Sequence, residues 1–317
     1  MKNGILVVNK PKGISSAGVV SRLKRLLKVK KIGHTGTLDP FATGVLPIAV
    51  GQATRISKYF LKGVKGYYAQ VTLGIETDTY DCTGTVTHTA PSANLAALGS
   101  DQLQGVVTGF LGHQEQIPPA FSALKHKGQP LYKLARQGQM IEKPPRPIEI
   151  MAIAMENFRM DTNGHPVFDM PVTCSGGTYI RSLAHDIGVA LGCGAHLSAL
   201  QRTRAGQFKI EDAVDLDRFE KMSALDIEAR FISMSQCLDF LPAIISDNET
   251  AGKVKHGQPL FVADIPMPDA LLIAGDKNES QNIISDIRVL DSDDNLLAIV
   301  TPDKSGQTYK YCCVFNA

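Results

Sequence analysis

The segment GHTGTLDPFATGVLP, from Gly33 to Pro47, contains three glycines and two prolines within fifteen residues. This composition predicts a built loop rather than a helix or a long strand, because both residue types interrupt regular structure. Pro40 favours an extended backbone at Asp39 and has no N–H to donate to its carboxylate. Asp39 is also the only acidic residue among the first 75, which carry thirteen Lys and Arg. Such a carboxylate is either paired for structure or placed for chemistry.

An aspartate in a glycine-rich loop ordinarily bonds its own backbone in a turn. Here chemistry is the better hypothesis, because GHTGTLDPFATGVLP resembles, residue by residue, the catalytic loop of the bacterial tRNA pseudouridine-55 synthases, the TruB family. A match of this length is far more specific than a short glycine pattern. The resemblance implies an enzyme that isomerises uridine 55 in the T loop of tRNA to pseudouridine, with Asp39 as its nucleophile.

A second motif, CSGGTYIRSLA, places Arg181 in the first turn of a predicted helix. The helix dipole disfavours a cation there, by about a few tenths of a kcal/mol if the arginine is simply exposed. An anion facing Arg181 explains the position better. The motif resembles the Thr-Tyr-Ile-Arg segment of the same family, which implies that Arg181 holds Asp39 ionised and oriented and that Tyr179 binds substrate.

A third motif, KGYYAQV, predicts a strand that ends at Gly74. The family has a catalytic tyrosine at the start of this strand, which the resemblance assigns to Tyr67. The neighbouring Tyr68 is the alternative, because a slip of one residue in strand register exchanges the two faces. Either tyrosine could instead be an ordinary sheet-face aromatic.

Three shorter matches complete the implied site. NKPKG resembles the first family motif, in which Lys10 and Pro11 support the active site and contact substrate. His34 matches a histidine that helps to hold the T loop with its target base turned out, although a lone histidine is more often structural. LQRTR resembles the last family motif, in which Leu200 would pack against the target base. The matches cover roughly residues 1–210 in the expected order.

The residue types suit the implied reaction. Pseudouridine formation breaks the C1′–N1 bond of a uridine and joins C1′ to C5. A carboxylate can attack the sugar or remove a proton from it to give a glycal, and the sequence leaves both routes open. The base must first be flipped out of its stack. A non-catalytic tRNA-binding or tRNA-folding protein is the alternative.

The sequence lacks the motifs of several other enzyme classes. The chain has no P-loop, no Gly-x-Gly-x-x-Gly after a strand and no deaminase zinc motif, so we predict neither a cofactor nor a metal. A glycosidase or nucleoside hydrolase would need a second carboxylate or a metal cluster, and no second acid lies near Asp39 in the sequence.

The resemblance implies an α+β fold with a mixed, largely antiparallel central sheet, an inserted RNA-binding arm and a small, mostly β, PUA-like C-terminal domain. We predict that residues 1–246 form the catalytic domain, with the arm as a basic, proline-bounded insert at about 115–150. Short strands and turn signals in residues 247–317 indicate the C-terminal RNA-binding domain. Because no motif match lies in that domain, we expect it to be dispensable for turnover.

Charge is distributed in blocks, which the net charge of +2 conceals. Residues 1–75 carry +12 and residues 120–150 carry +4, whereas residues 76–119, 151–246 and 247–317 carry −5, −4 and −5. Two basic segments in an otherwise acidic chain favour a polyanion-binding face, although basic runs are often only solvated surface. The predicted partner is tRNA, bound through its T stem-loop.

Composition indicates a soluble globular protein of 317 residues, with 44% apolar and 20% charged residues. Its apolar runs are too short to cross a bilayer, so we predict no membrane association. The chain has no recognisable signal peptide, and its six scattered cysteines include no Cys-x-x-Cys. Free thiols in the cytoplasm are therefore expected. The resemblance implies a monomer.

We expect tRNA binding to depend on the basic segments. Neutralising Lys24, Arg25, Lys30 and Lys31 together should weaken tRNA binding and flatten its salt dependence, since each lost phosphate contact removes about one unit of slope. Equilibrium binding measured across a salt series tests this. Unchanged affinity and slope would show that the charges are only solvated surface.

Overall fold

The computed structural model describes residues 3–96, 98–265, 286–303 and 305–315. Its strands are β1 (Gly4–Lys10), β2 (Ile32–His34), β3 (Thr43–Val50), β4 (Lys65–Leu73), β5 (Ile75–Thr77), β6 (Val86–Thr89), β7 (Gly112–Gln116), β8 (Lys125–His126), β9 (Gln129–Pro130), β10 (Arg146–Ile153), β11 (Glu156–Met160), β12 (Pro166–Cys174), β13 (Ala195–Ala205), β14 (Phe208–Lys209), β15 (Val214–Asp215), β16 (Ala243–Ile245), β17 (Leu260–Phe261), β18 (Ile287–Leu290), β19 (Leu296–Pro302) and β20 (Thr308–Val314). Its helices are α1 (Ser16–Leu27), α2 (Lys58–Leu61), α3 (Ser92–Ala96), α4 (Ser100–Thr108), α5 (Leu131–Ala135), α6 (Ile180–Ala190), α7 (Leu216–Phe219), α8 (Ala224–Glu228), α9 (Met234–Cys237) and α10 (Asn248–Lys255), with 3₁₀ turns at Gly51–Ile56 and Ile210–Asp212.

One large sheet organises the chain, in the strand order β15-β1-β3-β13-β4-β12-β10-β7. Strands β2, β11 and β14 pair with β3, β12 and β13 at its margins. The β1–β15 and β3–β13 pairs are parallel and the other pairs are antiparallel. The prediction of an α+β fold with a mixed, largely antiparallel sheet is therefore confirmed.

Helices cover one face of this sheet and enclose its main core. In α1, Ser15 is the N-cap, because its side chain accepts a hydrogen bond from the Gly18 amide at 3.0 Å. Val19 and Leu23 lie one turn apart on α1 and are fully buried in the core. The predicted helix after the Ser-Gly-Gly turn is α6, and Gly192 follows its end in the left-handed region with a φ of 69°.

The quoted segment around Asp39 is less irregular than its composition predicts. The prediction of a loop up to Pro47 was wrong, because Thr43–Val50 is a strand buried between β1 and β13. Burial on both faces outweighs the local preference of its glycine and proline. Gly44 has a φ of 101°, and a Cβ there would lie 2.2 Å from the Arg202 carbonyl oxygen. The irregular loop is therefore confined to residues between β2 and β3.

The two ends of the insert predicted at about 115–150 belong to β7 and β10 of the large sheet, and the residues between these strands form short elements. The strands β8 and β9 form a two-stranded ladder that leads into α5. Leu131 and Leu134 of α5 are buried. Most of its charged side chains are exposed.

A second sheet, in the order β16-β18-β19-β20-β17, makes the C-terminal region mostly β, as predicted. This sheet begins with β16 at Ala243, three residues before the predicted division at residue 246. The division into two domains at residue 246 stays a prediction. An apolar cluster joins this sheet to the outer face of β1 and β3; its members include Ile5, Val7, Ala49, Ile56, Phe60, Leu296, Ile299 and Phe315.

Polar contacts reinforce this junction. The Tyr59 hydroxyl donates to Asp286, and the Lys58 ammonium lies 3.6 Å from the same carboxylate. The Arg55 guanidinium lies 5.2 Å from the centre of the Phe315 ring. A shared apolar core argues against the expectation that the C-terminal region is dispensable, since its removal would expose the outer face of β1 and β3 to water.

We expect Phe315→Ala to destabilise the whole chain. Phe315 is only 1% exposed, so its truncation should lower the free energy of unfolding by about 3 kcal/mol. Phe261→Ala is the control, because that side chain is 51% exposed and should cost less than about 1 kcal/mol. Denaturant unfolding followed by two probes tests the coupling. A loss confined to a separate transition of the C-terminal sheet would contradict a shared core.

Candidate active site

The central contact of the site is an ion pair between Arg181 and Asp39. The Arg181 Nε lies 2.9 Å from Asp39 Oδ2, and its other nitrogens donate to the carbonyls of Thr79 at 2.7 Å and Phe121 at 2.8 Å. The Arg181 side chain is 4% exposed, whereas that of Asp39 is 35% exposed. The arginine is thus fixed on every side, and the carboxylate that it orients is still open to a ligand.

A second carboxylate lies beside the same arginine, which sequence reasoning missed. Asp81 Oδ2 is 3.6 Å from Arg181 Nε, and the side chain is buried. Its Oδ1 accepts hydrogen bonds from Thr79 Oγ1 at 2.9 Å, Thr83 N at 2.9 Å and Thr83 Oγ1 at 2.6 Å. Asp81 therefore stabilises the guanidinium and its own turn rather than facing a ligand. No sequence signal separates it from Asp78 in the same loop.

The two candidate tyrosines lie on opposite faces of β4. Tyr67 pairs across the sheet with Arg202 and packs against the main core. Burial raises the pKa of the Tyr67 phenol, while the Arg202 guanidinium lowers it. Tyr68 is exposed on the other face, and its hydroxyl donates to Asp169 Oδ2 at 3.3 Å. Of the two, Tyr67 is on the side of the loop that carries Asp39, and its assignment as the active-site tyrosine stays a prediction.

Lys10 donates hydrogen bonds to the backbone of the loop that carries Asp39. Its ammonium is fully buried and donates to the carbonyls of Pro11 at 2.9 Å, Ile14 at 2.8 Å and Pro40 at 3.3 Å. Burial lowers the pKa of Lys10 to about 8, with Asp39 opposing and Arg202 reinforcing the shift. Because the three N–H groups of the ammonium each donate to a backbone carbonyl, Lys10 holds the backbone rather than reaching an outside ligand. Pro11 contributes a carbonyl to this arrangement.

The remaining predicted substrate contacts surround the same region. His34, at the end of β2, has its pKa lowered by burial, so its ring is neutral at pH 7. Within the described part of the chain, its buried Nδ1 has no hydrogen-bond partner. The backbone of Tyr179 is held at both its N–H (2.8 Å) and its carbonyl (3.0 Å) by the Gln116 amide. Leu200 is 7% exposed on the face of β13 that also carries Arg202. The roles of these residues stay predictions.

Arg202 is a buried cation that sequence reasoning did not single out. The side chain is 2% exposed, and its donors reach the carbonyls of Val45 at 2.7 Å, Thr37 at 3.2 Å and Gly36 at 3.2 Å. Strand alternation from Leu200 could have placed it inward, but not against this loop.

Ser16 also contacts the loop, through a buried hydroxyl. Its hydroxyl donates to the Leu38 carbonyl at 2.9 Å and accepts from the Leu38 N–H at 2.8 Å. Ser16 does not cap α1, because the N-cap is its neighbour Ser15.

Several further features concern other classes of site. The six cysteines are free thiols, as predicted. Among the described residues, no group of three or more His, Cys, Asp or Glu is placed to hold a metal ion. None of the described helices combines the length and apolar character required to span a bilayer.

Comparison with known proteins identifies the class. A family described as TruB family pseudouridylate synthase (N terminal domain) matches residues 24–180, and one described as tRNA pseudouridylate synthase B C-terminal domain matches residues 181–243. The protein is therefore a pseudouridine synthase, an isomerase that modifies RNA. More particularly, the chain belongs to the TruB family.

The relatives are similar over most of their length. The tRNA pseudouridine synthase B of Francisella philomiragia is 52% identical over 221 residues, which is 70% of this chain and 71% of that protein. The protein of the same name from Francisella tularensis is 48% identical over 233 residues, or 74% of each chain. Enzymes of this name favour catalysis over the alternative of a non-catalytic binding protein.

Solved structures extend the likeness to the whole fold. A chain from a Cbf5–Nop10–Gar1 complex has a TM-score of 0.69 at 26% identity, covering 99% of this chain and 84% of that one. A chain from an archaeal box H/ACA Nop10–Cbf5 complex has a TM-score of 0.68 at 25% identity, covering 98% and 85%. The likeness therefore includes the C-terminal sheet.

We expect turnover of bound RNA to fall as the pH rises through about 8, the lowered pKa of Lys10. A neutral amine donates two hydrogen bonds instead of three, so one supporting carbonyl loses its donor. Between pH 8 and the ordinary value of 10.5, the unfolded chain binds more protons at Lys10 than the folded chain does. The contribution of this group to stability thus rises with pH, and unfolding is not the cause of the fall.

Two matched variants test whether Lys10 causes the fall in turnover near pH 8. Lys10→Met should be slow at every pH and lack the step. Lys65 is also buried with a pKa lowered to about 8, but it donates to the carbonyls of Phe60 and Gly63, outside the loop. Lys65→Met should therefore keep the step. The opposite pattern in single-turnover pH profiles would refute the role of Lys10.

Proposed function

We propose that this pseudouridine synthase isomerises uridine 55 in the T loop of tRNA, with Asp39 as the nucleophile. The observation that carries the proposal is the Asp39–Arg181 pair, in which a buried guanidinium 2.9 Å away orients a carboxylate that is still 35% exposed. The names of the Francisella relatives support tRNA as the substrate class.

The chemistry follows from this geometry. The guanidinium orients the Asp39 carboxylate, which can attack C1′ or accept a proton from the sugar. The C1′–N1 bond breaks, the base turns, and C1′ joins C5. C5 then loses its proton and N1 gains one. The product has the same atoms as the substrate, so the reaction consumes no co-substrate.

The surroundings suit a base that has been turned out of its stack. Tyr67 and Leu200 offer apolar surface for the uracil ring on the sheet face that meets the loop. His34 and Tyr179 lie on the flanking elements β2 and α6. We propose that these four residues with Pro11 contact the nucleotide, and that the insert at about 115–150 closes over the T stem-loop.

Further parts of the proposal concern the protein as a whole. We propose a monomeric cytoplasmic enzyme, with residues 1–246 as the catalytic domain and residues 247–317 as an RNA-binding domain. Two exposed basic residues support the tRNA assignment, because Lys24 and Arg25 lie in the last turn of α1.

We expect Asp39→Asn to abolish pseudouridine formation on unmodified tRNA while tRNA affinity stays within about threefold. Asparagine keeps the size of the side chain but removes the nucleophilic charge, and one lost negative charge should not repel RNA. Arg181→Lys should be slow but measurable, because an ammonium keeps the charge and loses the fork geometry. Nucleoside analysis of the tRNA, with the modified position mapped, provides the readout.

The opposite result would be informative. A turn aspartate tolerates asparagine, so substantial turnover by Asp39→Asn would sink the catalytic assignment. Mass spectrometry of the variant must first exclude deamidation back to aspartate. Conversion of a uridine outside the T loop would leave the enzyme class intact and overturn the proposed substrate position.

A further inference from the structure

We propose that Arg202 and Ser16 are positioning residues that clamp the backbone on the N-terminal side of Asp39 and so aim its carboxylate. The inference rests on the proposed function, because it takes Asp39 as the nucleophile. It concerns residues that form no hydrogen bond or ion pair with the Asp39 side chain and act through the backbone that carries it.

The first arm of the clamp is Arg202. Its guanidinium donates to the carbonyls of Gly36 and Thr37, just before Asp39, and to that of Val45 in β3. Burying a guanidinium is costly, and carbonyls return less of that cost than a carboxylate does. Across the described residues, Arg202 forms no ion pair within 4.0 Å. A neutral apolar residue would stabilise this position at lower cost, so the guanidinium has a geometric use.

The second arm is Ser16. Both backbone groups of Leu38, the residue next to Asp39, are bonded to its buried hydroxyl. The helix does not require this hydroxyl, because Ser15 already caps α1. Ser16 therefore transmits the position of α1 to the loop.

Together with Lys10, these side chains hold nearly every backbone position around the nucleophile. Arg202 holds residues 36 and 37, Ser16 holds Leu38, and Lys10 holds Pro40. The three side chains come from β13, α1 and β1, which are all anchored in one core. The side chain of Asp39 is still 35% exposed between these fixed backbone positions.

This arrangement has a direct consequence for catalysis. A nucleophile displaced by about 1 Å can lose a factor of about a hundred in rate, because attack requires a defined distance and angle. Arg181 fixes one carboxylate oxygen, but the Cα position depends on the backbone. The clamp and the ion pair thus fix Asp39 at both ends of its side chain.

The first experiment compares Ser16→Ala with Ser15→Ala. The two serines are adjacent, and both bond to backbone, but only Ser16 touches the loop. Ser16→Ala should lower the single-turnover rate at saturating tRNA by about tenfold, with KM and Kd for tRNA within about twofold. Ser15→Ala should lower the thermal midpoint through loss of the cap and leave that rate unchanged.

The second experiment compares Arg202→Lys with Arg204→Lys on the same strand. A lysine cannot span three carbonyls, so the rate should fall by about a hundredfold at unchanged KM. Arg204 is exposed and donates to the Gly206 carbonyl, away from the loop, so its variant should keep the native rate. Circular dichroism melting confirms that each variant is folded in the assay.

The outcomes separate this inference from the proposed function. Native rates in both Ser16→Ala and Arg202→Lys, beside an inactive Asp39→Asn, would overturn the clamp alone. An equal loss in Ser15→Ala and Ser16→Ala would also overturn it, because the effect would then follow stability. Substantial activity of Asp39→Asn would overturn the nucleophile and the clamp together.

Discussion

The site depends on one buried guanidinium. Arg181 pairs with Asp39 and also donates to the carbonyls of Thr79 and Phe121. The loop that carries Asp39, the turn before Asp81 and the basic insert therefore meet at one side chain. An arginine with this degree of burial is stable only if its donors are satisfied and its charge is balanced. Asp81 supplies the second negative charge at 3.6 Å. Loss of either carboxylate would leave the guanidinium undercompensated.

Buried cations recur around this centre, and each one holds backbone. Lys10 and Arg202 donate to carbonyls of the loop that carries Asp39, and Lys65 donates to the carbonyls of Phe60 and Gly63 at the end of α2. The two lysines bear the cost of burial as lowered pKa values, whereas an arginine keeps its proton. A loop rich in glycine and proline has few backbone partners of its own, so buried donors from the core supply them.

The C-terminal sheet extends the core instead of standing apart from it. Ile299 and Phe315 pack against Ile5 and Ala49 on the outer face of the main sheet. The helices α1, α4 and α6 and the loop that carries Asp39 pack on the opposite face. The strands β1 and β3, which lead into and out of the site, are thereby covered on both sides. Their rigidity is what allows short loops to hold reactive groups in place.

The sequence by itself predicted the loop that carries Asp39 and the alternating strands, because motif identity and local periodicity are properties of neighbouring residues. The pairing of Asp39 with Arg181 came from the family resemblance, and the structure shows that contact. The sequence could not determine that Thr43–Val50 is a strand, that Asp81 lies beside Arg181, or that Arg202 bonds the loop. Those facts depend on which distant segments the sheet brings together, as the β3–β13 pairing does. Burial then outweighs local preference, and a side chain acquires its role from partners that sequence spacing does not record.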